Sequence, residues 1–116
     1  MSSFFQTLQS STQRSRQQLI ESAIIQDALR GEVTRSQYLA FLGQAYHHVR
    51  HTVPLLMACG SRLGSSHEWL KRAITEYIEE ELGHQEWVLN DIAACGYDKE
   101  QARASTPAFA TELMVS

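Results

Sequence analysis

The stretch Glu76–Ile92, EYIEEELGHQEWVLNDI, decides how this chain is read. Three consecutive glutamates precede Gly83 and His84. We take residues 67–95 as one helix, advance about 100° per residue and set His84 at zero. Leu70, Ala73, Ile74, Tyr77, Val88, Ile92 and Cys95 then share one band. Glu81 falls near the middle of that band, Asp91 lies close to the direction of His84, and Glu80 lies at the edge. Glu76, Glu79 and Glu86 point away. The glutamate run therefore splits into a solvated part and a part that faces the core.

A carboxylate turned toward apolar neighbours is costly unless it is paired or bound to metal. Glu81 and His84 stand at i, i+3, so both can reach one ion. A Glu-x-x-His on a helix supplies two ligands to one site in four-helix di-iron bundles, and its oxygen and imidazole donors suit iron. The ordinary alternative is a buried Glu–His pair without metal, or a helix rotated to expose both. On the pattern alone that alternative leads.

Outward from this segment, glycine and proline are sparse and no alternating strand pattern occurs, so the expectation is all-α. A first helical region covers 4–29, with an exposed face or a break in its polar middle and a stop at Gly31. A second helix, capped by Thr34 or Ser36, runs to about Arg62. Pro54 kinks it or starts a new segment. Its apolar stripe is Leu39, Leu42, Ala45, Tyr46, Val49, Val53, Leu56 and Met57. Ser66 caps the helix over 67–95, which Gly96 closes. DKEQAR forms a short turn. Pro107 begins a last helix after Ser105 or Thr106. The long helices, about 34–62 and 67–95, are expected to lie antiparallel around a loop at Gly64.

The histidines of AYHHVRHT add a second cluster. His47 and His51 are spaced i, i+4, a separation that can bind metal, but no glutamate follows His47 as in zinc proteases. Both sit opposite the apolar stripe, so a polar helix face or hydrogen bonding around a metal-bound carboxylate is preferred. A ligand role for His51 is the minority reading. Cys59 and Cys95 form no CxxC and read as reduced and buried.

The 116 residues fit one domain, 1–116, with a net charge of −3. That charge does not suggest nucleic acid or an anionic membrane as partner. No apolar run approaches a membrane span, and the start does not resemble a signal peptide, so a cytoplasmic location is expected.

Three segments carry a resemblance: GEVTRSQYLAFLGQAYHHVRHTVPLL, EYIEEELGHQEWVLNDIAACGYD and STPAFATELM. In this order they resemble the N-terminal half of the heme-oxygenase-like superfamily. They are closest in style to its iron-containing redox enzymes, the di-iron oxidases and oxygenases, which share a fold with thiaminase II and pyrroloquinoline-quinone synthase. The resemblance implies a helical bundle, a possible di-iron cofactor and oxidation of a small organic substrate. It implies Glu81 and His84 as metal ligands, with Glu80, Asp91 and His51 as further candidates. In some members the ligand carboxylate lies seven residues before the histidine. Here that position is Tyr77, which favours Glu81. Family domains are about twice as long, and their second half supplies further ligands. An incomplete domain that associates as a homo-oligomer, most simply a dimer, is therefore expected. A non-catalytic dimerisation module and a metal-free relative with no bound iron are the competing readings.

Overall fold

The computed structural model describes residues 3–116, and these are helical with no strand among them. Two compact units divide the chain, one ending at Thr34 and the other Arg35–Ser116. In the first, α1 (Phe4–Ile20) opens with a capping box. The Gln6 amide donates to Ser3 Oγ at 3.2 Å and the Ser3 amide to Gln6 Oε1 at 2.8 Å. The polar middle stays helical, with the Ser10, Ser11 and Thr12 hydroxyls bonded back to carbonyls one turn earlier. The break comes later, at Glu21–Ser22, before α2 (Ala23–Leu29). Gly31, at φ +71°, stops α2 as expected. The Glu32 amide reaches Asp27 O and the Gly31 amide reaches Ala28 O, a Schellman ending.

The second unit holds the core. Its two long expected helices are each broken. The first becomes α3 (Arg35–Val49) and α4 (Thr52–Ser61). Pro54 explains the break: it has no N–H for the Arg50 carbonyl and its ring would clash there, so the helix restarts at Thr52. The second becomes α5 (Glu68–Glu81) and α6 (His84–Ala94), parted by Leu82 and by Gly83 at φ +86°. A single 3-10 turn at Ser65–His67 leads into α5. Ser66 does not cap it; its hydroxyl meets His67 Nδ1 at 3.0 Å.

α4 packs on α5 and α3 on α6, the order that an antiparallel hairpin closed near Gly64 requires. Gly60 faces Ile74 across the first contact, and a Cβ there would meet Ile74 Cγ2 at an ordinary packing distance of 3.6 Å. Gly96, at φ +83°, ends α6 in a second Schellman motif, and Asp98 caps α7 (Lys99–Ala104) through the Glu100 amide. α8 (Phe109–Val115) begins two residues after Pro107, not at it.

The central cluster is Leu42, Tyr46, Leu89, Ile92 and Ala102, with Leu39 and Val88 against it. Leu89 and Ile92 are fully buried, each contributing roughly 1.5–3 kcal/mol of apolar burial. Many large apolar side chains remain outside, among them Trp69, Trp87, Phe109, Leu113 and Met114. Cys59 is exposed rather than buried, and Cys95 is half-buried; both are free thiols. Among the described residues no helix is long and apolar enough to cross a membrane.

Candidate metal centre

Glu81 ends α5 and His84 begins α6, so the single-helix geometry assumed from the sequence does not apply. The two side chains nevertheless meet. His84 Nδ1 lies 3.0 Å from Glu81 Oε2, with the side chains 30% and 20% exposed. The turn makes this possible. The Leu82 amide still bonds Ile78 O, closing α5, while Leu82 itself is extended and Gly83 left-handed. The Glu86 and Trp87 amides then return to Gly83 O, starting α6. Only glycine takes such a φ without strain.

The Trp87 ring lies obliquely against His84, with centroids 4.4 Å apart. The carboxylate accepts from Nδ1, and among the described residues His84 Nε2 has no hydrogen-bond partner. Among the described residues no lysine or arginine pairs with Glu81.

The other sequence candidates are not brought to this pair. Glu80 and Asp91 are exposed, and His51 lies at the corner between α3 and α4. Among the described residues no three of His, Cys, Asp and Glu gather into a metal-binding group. Glu79 is exposed as expected. Glu86 is partly covered because Arg103 grips it with two bonds, at 2.7 and 3.2 Å. That bidentate guanidinium holds the Glu86 carboxyl below its ordinary range.

Sequence reasoning placed His47 on a polar face; the structure buries it, 2% exposed. Its Nε2 meets Ser105 Oγ at 2.8 Å. One turn earlier, Gln44 Oε1 accepts from the Ala108 amide at 2.9 Å and from Thr111 Oγ1 at 2.8 Å.

The family model described as iron-containing redox enzyme matches residues 39–116, which include the core, the Glu81–His84 pair and both α3 clamps. No curated protein and no solved structure gives a significant match. The matched segment covers more than half of the chain and the structure is helical throughout its core, so this chain belongs to the iron-containing redox enzyme family, of heme-oxygenase-like fold.

Proposed function

We propose that Glu81 and His84 form part of an iron-binding centre in an oxidoreductase acting on a small organic substrate. The observation that carries this reading is the carboxylate–imidazole contact at 3.0 Å, partly sheltered and, among the described residues, without a lysine or arginine paired to it. The donor chemistry fits. A carboxylate offers hard oxygen and negative charge, and an imidazole offers a neutral nitrogen. The pair is a partial set, so further ligands come from solvent, substrate or another polypeptide segment. Glu81 also orients His84, because the bond at Nδ1 fixes the ring and leaves Nε2 open. Trp87 narrows the approach to that nitrogen. Bound iron would supply one-electron and dioxygen chemistry.

Anaerobic loading with Fe(II), followed by desalting and metal analysis, tests the reading. Wild type should retain more iron than Glu81→Ala or His84→Ala, and iron should raise its melting temperature more than theirs. Equal retention in all three proteins would overturn it. A second reading, a non-catalytic helical module, draws on the exposed apolar side chains of α8 and on the incomplete donor set. It predicts that metal leaves the melting temperature of every variant unchanged.

A further inference from the structure

We infer that His47 is a pH-sensitive latch holding the α7–α8 segment on α3. The argument begins with how weakly α8 is held otherwise. The helix has seven residues and buries none of them, and Phe109, Leu113 and Met114 face outward. A helix so short does not persist alone in water. Among the described residues, the side-chain hydrogen bonds that tie the α7–α8 segment to α3 come from two α3 residues one turn apart: Gln44, which holds Ala108 and Thr111, and His47, which holds Ser105 at the end of α7.

The hydrogen-bond direction at His47 is determined by Ser105. The Ser105 hydroxyl has one proton, and it donates that proton to Ala102 O at 2.6 Å. It must therefore accept from His47, so Nε2 carries the hydrogen and Nδ1 carries a lone pair. Nδ1 is buried and has no partner. Protonation would place a charged, unsatisfied N–H there, the costly arrangement for a buried polar group.

The surroundings reinforce this. Arg50 and His51, at the end of the same helix and the following corner, line a cleft of about 490 Å³ with His47 and oppose a second positive charge. Glu112 from α8 lines the same cleft and works the other way. The Tyr46 ring stands edge-on to the imidazole at 5.3 Å. α6 and α7 contribute apolar Leu89, Ile92 and Ala102 to the adjoining core. Arg103 of α7 donates to both Glu86 and Glu100, and Lys99 reaches toward Asn90. Burial first, then Arg50 and His51, push the His47 pKa below its ordinary value of 6.5. The latched state thus binds fewer protons than the released state between the two values. Latching is complete above about pH 6.5, weakens as pH falls toward the lowered value, and changes no further below it.

Amide hydrogen exchange of the full chain, expressed as protection factors to remove the intrinsic pH dependence, tests the latch. Protection at residues 108–115 of the wild type should fall as pH drops from 7.5 to 5, by up to about tenfold per pH unit inside the window. His47→Gln keeps a donor near the Nε2 position and cannot titrate, so its protection should be flat. Ser105→Ala should show low protection at both pH values. The amides of α6 around Leu89 and Ile92 report whether each variant remains folded. Should His47→Gln fail to fold, the His47 ring titration of the wild type, followed by NMR, must share its midpoint with the loss of α8 protection. The latch is overturned by wild-type protection that is independent of pH, by a His47→Gln profile that matches wild type, or by separated midpoints.

Discussion

Glu81 and His84 touch at 3.0 Å although they belong to different helices, and the residue that joins those helices, Gly83, lies at φ +86°. The contact depends on a backbone turn. Gly83→Ala isolates that dependence, because no atom lies within 4 Å of an added Cβ. Its cost is therefore conformational, about 1–2 kcal/mol for a left-handed L-residue. Urea unfolding should show this loss. Retained iron should fall as well, since a backbone driven from the left-handed region re-aims His84. Unchanged stability would mean that α5 and α6 can join into one continuous helix.

That turn also marks the boundary of what the sequence made legible. The all-α class, the stops at Gly31 and Gly96, the new segment at Pro54 and the proximity of Glu81 to His84 all follow from local chemistry. The continuous helix over 67–95 does not survive, because Gly83 takes a left-handed φ, and a lone glycine inside a helical pattern does not by itself tell a tolerated residue from a break. Its wheel nonetheless placed Ile74 and Ile92 in the core, since each limb keeps its own phase. The same wheel also put Tyr77 in the apolar band, yet it is 47% exposed. His47 was misjudged for a different reason. Its burial comes from the Ser105–Ala108 link folding across α3, a long-range approach that no local period records.

The core is small, so its central residues carry much of the stability. Leu89 is 0% exposed and lies between α3 and α7 contacts. Leu89→Ala should cost about 2–5 kcal/mol, from lost burial plus the cavity left behind. Thermal unfolding followed by circular dichroism checks it. A loss below 1 kcal/mol, on the order expected for surface changes, would place the core elsewhere.

Glu86 and Arg103 link α6 to α7 through a bidentate pair at the surface. Because Arg103 lowers the Glu86 carboxyl, their contribution is present above the ordinary value of 4.5 and is lost as pH falls through the lowered one. The difference in melting temperature between wild type and Arg103→Ala should therefore be largest near neutral pH. It should shrink below pH 4.5 and also shrink in high salt, as exposed pairs do. A difference independent of both pH and salt would show that Arg103 acts through its apolar stem instead.

The apolar side chains left outside the core lead to the last prediction, self-association. Phe109, Leu113 and Met114 on α8 are 74%, 60% and 72% exposed, and Trp69 and Trp87 on α5 and α6 are 70% and 62% exposed. Apolar surface on this scale favours contact with a partner over solvation. A symmetric dimer is the commonest arrangement for one chain meeting itself, and it buries the same patch twice. Sedimentation velocity should show association that grows with concentration through the micromolar range. Phe109→Ser with Leu113→Ser should shift it toward monomer if α8 is the contact, whereas Trp87→Ser should do so if the contact lies beside Glu81 and His84. The second outcome would also bring two carboxylate–imidazole pairs near one another, and iron would then strengthen the dimer. A monomer at every concentration, with α8 amides fully protected, would remove the case for association.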